Sequence, residues 1–189
     1  MWNTIESMPP VSHKGRYHMK SPDEVHIETL TVKDDGTIPN HPSFPVLIYK
    51  QTTTGSDDVK ALFNTNNWLG AWKGSVFKYH HYHSNSHEVL GCVSGSALLH
   101  IGGEQGSQLN IKNGDILILP AGYGHKLIEQ SEDFAVIGAY PNGSDYDMCT
   151  GDPSERPEKV DNIYQVPLPD YDPVFGSDGP LFSYWTNFS

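Results

Sequence analysis

Along most of the chain the apolar residues come in short runs, with little of the spacing a long helix needs. The runs are "FPVLIYK", "SVFKYHHYH", "EVLGCV", "SALLHI", "QLNI", "DILILP", "HKLIE" and "DFAVIGAY". From about residue 72 to 140 they recur every eight to twelve residues. Between them lie "SGS", "GGEQGS" and "KNGD", where Gly or Asn supplies the positive φ of tight turns. Short runs at that interval predict an all-β sandwich or barrel. The best helical pattern is "SDDVKALFNTNNW", a helix near 57–67 with Ser56 or Asp57 as its cap and Val59, Leu62 and Phe63 on one face. No internal repeat is visible.

The flanks read differently. Residues 1–71 form an N-terminal arm, polar and Pro-containing at first, then carrying peripheral strands and the helix. Residues 141–189 are rich in proline and predict an extended C-terminal arm. Leu168, Val174, Phe175, Leu181, Phe182 and Trp185 in that arm are too apolar to leave in water. The expectation is a single domain over 1–189 with its barrel at about 72–140. Its arms pack across a homodimer, because Phe44, Val46, Leu47 and Ile48 near the other end need burial as well. A tail folded back on its own barrel is the rival arrangement.

Composition narrows the partners. Twelve basic against 23 acidic residues give a net charge of −11, which argues against nucleic acid or an anionic bilayer. No apolar run approaches the ~20 residues that cross a membrane, and "MWNTIESMPP" does not resemble a secretory signal. Cys92 and Cys149 are the only cysteines, too few for a disulfide framework. A cytoplasmic setting and a small-molecule partner are the expectation.

The chemistry is concentrated in "HHYHSNSHE", residues 80–88, with four of the ten histidines. If "SVFKYHHYH" is a strand, Phe77, Tyr79, His81 and His83 share one face, and Lys78, His80 and Tyr82 share the other. His81 and His83 then point inward together. "SNSH" reverses the chain, and Glu88, Leu90 and Cys92 form the inward set of the returning strand. Two imidazoles and a carboxylate suit a divalent first-row metal. In "GDILILPAGYGH", His125 follows a Gly-rich turn; it is a fourth ligand or a loop histidine bonded to backbone. His87 can replace a ligand, orient Glu88 as a catalytic candidate, or sit solvated in the turn. Tyr79 is a catalytic or substrate-binding candidate, or fills the barrel end. Cys92, Tyr123 and Tyr140 are further substrate-binding candidates, each with a packing role as the alternative. Trp68 and Trp72 read as wall and core, and Lys126 faces away from His125.

These spacings resemble the two cupin motifs. Gly74, then His81-Tyr82-His83, four residues, Glu88, six residues and Gly95 match the first. Gly114, five residues, Pro120-Ala121-Gly122, two residues and His125 match the second. Two departures stand out: six residues, where five are usual, separate Gly74 from His81, and Glu129 replaces a frequent asparagine. "IPNHPSFPVLIYK", "HHYHSNSHEVLG", "PAGYGHKL", "VIGAYPNG" and "DPVFGSDGPL" extend the resemblance to the YjlB-like cupins. It implies a single-domain jelly-roll barrel, a double-stranded β-helix with arms and one or two short helices. It also implies one divalent transition metal per chain, Fe(II), Mn(II), Ni(II) or Zn(II), on His81, His83, Glu88 and His125. The activity so implied is a non-haem Fe(II)-type dioxygenase. A metal-dependent isomerase or lyase is the alternative, and a non-catalytic metal- or small-molecule-binding cupin is the alternative of another class.

Overall fold

The short apolar runs pair into two antiparallel sheets in the computed structural model, which describes residues 20–54 and 58–186. Strands β1 (His26–Leu30), β2 (Val46–Lys50), β3 (Trp68–Gly74), β4 (Glu88–Ser94), β7 (Ile116–Leu119) and β9 (Ala135–Pro141) form a six-stranded sheet in the order β1-β2-β7-β4-β9-β3. Strands β5 (Ser96–Ile101), β6 (Ser107–Lys112) and β8 (His125–Gln130) form a three-stranded sheet in the order β6-β5-β8. The two face each other as a jelly roll. No helix among the described residues is long and apolar enough to cross a membrane.

Strand alternation explains where the core sits. Val46 and Ile48 on β2, Leu90 and Cys92 on β4, and Leu117 and Leu119 on β7 point between the sheets, meeting Ala97, Leu99, Ile101 and Leu127 from the smaller sheet. The intervening residues Leu47, Tyr49, Val89, Ile116 and Ile118 point to the opposite face of the large sheet and are equally buried. That double burial accounts for the unbroken runs "VLIY" and "ILIL", because a sheet covered on both faces has no wet side to mark with polar residues. The small sheet has one wet side, and β5 alternates accordingly.

The cover of the outer face comes from both arms. Helix α1 (Val59–Thr65) lays Val59 and Phe63 on it. The N-cap of α1 is Asp58, whose carboxylate accepts the Ala61 N–H at 2.9 Å; Ser56 and Asp57, the expected caps, lie outside the described residues. β2, expected in a peripheral arm, is hydrogen-bonded to β7 within the sheet, and its Val46 and Ile48 belong to the inner core. The C-terminal arm, expected to be extended, contains α2 (Glu158–Gln165) and α3 (Leu181–Tyr184). Its Val174, Leu181 and Trp185 pack on the chain's own sheet. Within the single chain the tail folds back on its own barrel, so burial of the arm does not by itself call for a second subunit.

Asp172, fully buried, pins the arm. One carboxylate oxygen accepts the Tyr49 hydroxyl at 2.6 Å and the Leu181 N–H at 3.1 Å; the other accepts the N–H groups of Val174 and Phe175 at 2.8 and 3.1 Å. Gly179 passes so close that a Cβ there would lie 2.1 Å from that of Asp172, so only glycine fits. A second clasp is aromatic. The His41 ring stacks on Phe44 at 4.2 Å, Phe44 stacks on Trp185 at 5.3 Å, and the indole N–H of Trp185 donates to the Pro45 carbonyl at 2.8 Å. His87 closes the group 4.8 Å from Trp185. It is buried, accepting the Ala121 N–H at Nδ1 (2.9 Å) and donating from Nε2 to the Pro167 carbonyl (3.1 Å). His87 is thus a neutral strut between turn and arm, not a solvated turn residue.

Two outcomes follow. Asp172→Ala leaves four donors without a charged acceptor, and should cost roughly 3 kcal/mol, read as a lower urea midpoint; an unchanged midpoint would remove Asp172 as the pin. Burial lowers His41 to about 4, and burial followed by the neighbouring His41 lowers His87 to about 3. Both values lie below the ~6.5 of free imidazole, so the stability linked to neutral rings is present above ~6.5 and is lost progressively as pH falls towards the folded values. The urea midpoint should be lower at pH ~5 than at pH ~7, and equal midpoints would contradict neutral burial.

Candidate metal centre

His81 and His83 are carried by a short extended segment bridged on both edges, and not by a regular strand. His81 exchanges backbone hydrogen bonds with His125 at 3.0 and 3.3 Å, and Tyr82 does so with Cys149 at 2.9 and 3.0 Å. Alternation holds over these three residues. His81 and His83 face the cavity, while Tyr82 faces away into a third cluster with Ile38, Ala121, Cys149 and Ile163, its hydroxyl donating to Glu155 at 2.7 Å. Upstream it fails, because residues 75–80 leave the sheet. His80, expected on the wetter face, is largely buried with its ring against His100 at 5.0 Å, and Lys126 turns away to Glu104.

Glu88 opens β4 opposite Leu119, and His125 opens β8 after the turn at Gly122, so the carboxylate and the third imidazole arrive from opposite sheets. One ligand atom from each of His81, His83 and His125 lies within 4.8 Å of the others, and all three rings are buried. Glu88 abuts two of them, its Oε2 being 3.1 Å from His125 Nε2 and 3.3 Å from His83 Nε2.

Hydrogen bonding at the far side of each ring fixes which nitrogen faces inward. The Nδ1 atoms of His81, His83 and His125 lie 3.3, 2.5 and 3.0 Å from the carbonyls of Tyr79, Asp147 and Tyr123. A carbonyl only accepts, so each Nδ1 carries a proton and each ring turns its Nε2 to the centre. The Glu88 carboxylate is oriented likewise. The Trp72 indole N–H donates to the Tyr140 hydroxyl at 2.9 Å, and that hydroxyl donates to Glu88 Oε1 at 3.1 Å. Oε2 and His125 Nε2 are left facing each other, buried and without a hydrogen bond.

The charges follow from this packing. Burial alone would raise the Glu88 carboxyl, but the imidazoles of His125 and His83 outweigh it and hold the group well below the usual carboxylate range. Burial, then the adjacent His125, pushes His81 down to about 3. For His83 burial acts downward too, and the Glu88 carboxylate overcomes it, raising the ring above its ordinary value. Convergent acceptors in a buried site are what a cation requires, and these residues fit one.

Beside the centre is a cavity of about 150 Å³ walled by Trp72, Val76, Phe77, Leu90, Tyr140 and Tyr146. Of the substrate-binding candidates, Tyr140 lines it. Tyr79 does not: it is 49% exposed, with its ring stacked on Phe77 and edge-on to His81 at 6.0 Å, and its carbonyl accepts from the His81 ring. Tyr123 points elsewhere, its hydroxyl accepting the Val32 N–H at 3.2 Å and so fastening the N-terminal segment to the barrel. Cys92 is core, its thiol pushed up to about 11 mainly by burial. Tyr146 and Asp147 were not foreseen. Tyr146 stacks on Tyr140 at 4.1 Å and meets the His83 ring edge-on at 4.7 Å, while Asp147 gives His83 its carbonyl. Both follow β9 in a polar loop whose only signal was a tyrosine among Asp and Ser.

No family model matches the chain. The uncharacterized protein YjlB of Bacillus subtilis (strain 168) is 45% identical over 162 residues, covering 86% of this chain and 98% of that protein. Solved structures resemble it more distantly. The acireductone dioxygenase from Bacillus anthracis with a cadmium ion in its active center is 18% identical, over 44% of this chain and 57% of that one, at a TM-score of 0.35. The dTDP-6-deoxy-D-glucose-3,5-epimerase RmlC from Legionella pneumophila is 12% identical, over 65% of this chain and 74% of that one, at 0.40. A deletion mutant of the Bacillus subtilis oxalate decarboxylase OxdC is 18% identical, over 57% of this chain and 28% of that one, at 0.37. With the two motifs folded into one jelly roll and nearly the whole of YjlB aligned at that identity, the chain belongs to the YjlB-like cupins.

Proposed function

We propose that His81, His83, Glu88 and His125 hold one divalent transition metal and that the protein is a non-haem Fe(II)-type dioxygenase acting on a small molecule. The observation that carries the metal is the pair of buried acceptors, Glu88 Oε2 and His125 Nε2, 3.1 Å apart with no hydrogen bond between them. Two lone pairs facing at that distance repel unless a proton or a metal cation is shared between them, and the convergence of His81 and His83 on the same point favours the metal. Three imidazoles with a carboxylate suit iron, manganese, nickel or zinc.

Oxygenation is favoured over isomerase or lyase chemistry by what the cavity wall lacks. Apart from the four donors, its described residues are aromatic or aliphatic, plus Ser75, whose hydroxyl donates to Gln130 at 2.6 Å. No lysine, free carboxylate or uncommitted imidazole is there to move a proton on substrate. Tyr140 cannot act as a base either, since burial and then the Glu88 charge raise its phenol and keep it protonated. A bound Fe(II) would supply coordination positions for substrate and the electrons that dioxygen needs. The chain's own part is to turn three Nε2 lone pairs inward, to hold Glu88 by the Trp72–Tyr140 relay, and to keep bulk water from the apolar wall.

Purified protein should contain about one metal per chain, and His81→Ala and His125→Ala should each lose most of it. Full occupancy in both variants, measured by elemental analysis, would overturn the ligand set. Fe(II)-loaded protein should consume dioxygen with a small oxygen-bearing substrate, whereas the Zn(II)-loaded form should not, because zinc has no redox chemistry. Substrate turnover by the Zn(II) form without oxygen uptake would favour the isomerase or lyase instead.

A further inference from the structure

The cavity wall carries no fixed positive charge. None of its described residues is lysine or arginine, and apart from the hydroxyls of Ser75, Tyr140 and Tyr146 its polar groups are the three histidines and Glu88. We propose that the substrate is a small uncharged ring compound with two neighbouring oxygens, the ring lying against the aromatic wall and the oxygens facing the donor cluster. This rests on the metal reading above.

Size comes first. A cavity of about 150 Å³ matches a single six-membered ring, since dry apolar cavities of roughly that volume take up benzene. Shape agrees. Tyr140 and Tyr146 stack at 4.1 Å with an angle of 22° between their planes, and so present flat aromatic surface. On another side the Trp72 indole is pressed onto the bare Cα of Gly138, where an added Cβ would sit 2.4 Å from it, so this wall is not free to withdraw. Leu90 and Val76 supply the remaining apolar contact.

Charge decides the class. A carboxylate or phosphate on the body of the ligand would leave water without a cationic partner, at a cost of several kcal/mol. The chain's net charge of −11 also opposes the approach of anions. The wall offers few competing hydrogen bonds, because the Ser75 and Tyr140 hydroxyls are both committed. Polar atoms of the ligand therefore belong at the donor end, where a metal held by four protein donors keeps room for two oxygens.

The test uses the full chain loaded with Zn(II), so that no oxidation confuses binding. Calorimetric titration with catechol is compared with 3,4-dihydroxybenzoate, which has the same oxygen pair and an added carboxylate, and metal content is measured before and after. Catechol should bind about tenfold more tightly than the acid with zinc retained. Tyr146→Ala should weaken catechol about fivefold without loss of zinc. Phe77→Ala, at a half-exposed position, reads out the same wall should the first variant not fold. Equal or tighter binding of the acid, or no catechol binding by protein that keeps its zinc, would overturn the proposal. Wild-type protein that cannot hold zinc would overturn the metal reading, and this inference with it; the metal measurement tells the two failures apart.

Discussion

Everything else in this chain is arranged around a six-stranded sheet that has to be dry on both faces. Its central strands β2, β4, β7 and β9 place apolar residues on both faces, so neither side of the sheet's middle can be left to water. The inner side is covered by the small sheet, which closes the jelly roll and brings His125 opposite Glu88. The outer side is covered by α1 and by the C-terminal arm, pinned through Asp172 and the stack of His41, Phe44 and Trp185. Because the arm must travel from the end of β9 to that outer face, it passes the mouth of the barrel. There it deposits Tyr146 in the cavity wall and the Asp147 carbonyl behind His83. Core burial and site construction are two results of one chain path.

The donor cluster shows how a buried carboxylate is kept charged. Glu88 has imidazoles on one oxygen and the Tyr140 hydroxyl on the other, and Tyr140 is itself held by Trp72. Each donor in the relay has a single acceptor, so the direction of every proton is fixed without reference to solvent. Desolvation pushes Glu88 towards neutrality and the neighbouring rings reverse it. The resulting negative centre lies at the closed end of an apolar hollow, where electrostatic interactions are strong.

What the sequence made legible was local. The inward parity of His81 and His83, the return of Glu88 on the next strand, and His125 after its Gly-rich turn all depend on nearest neighbours along the chain. Longer-range features were hidden. Trp68 and Trp72 share parity, yet they lie on opposite faces, because an extra residue between Leu69 and Trp72 opposes β9 and turns the strand over. Trp68 consequently donates to the Tyr171 carbonyl on the outside, and Trp72 becomes cavity wall. Tyr79 shares parity with His81 but departs from it once the segment leaves the sheet, and Tyr123, beside the second motif, is claimed by Val32. The homodimer expectation assumed that the apolar arm residues had no home in their own chain. The doubly apolar runs demand a cover, and within one chain the arm is long enough to provide it.

The place of Tyr146 and Asp147 in the chain has a consequence for how the protein is made. The four donors lie between residues 81 and 125, while the carbonyl behind His83 and one ring of the aromatic wall come from residues 147 and 146. A ribosome delivers the N-terminal part of a chain first. The donors therefore emerge before the segment that orients one of them and narrows the pocket. Until that segment emerges, His83 lacks the Asp147 carbonyl behind it and the pocket lacks Tyr146, whereas His81 and His125 already have their Tyr79 and Tyr123 carbonyls. Maturation of the pocket is thereby tied to synthesis of the arm.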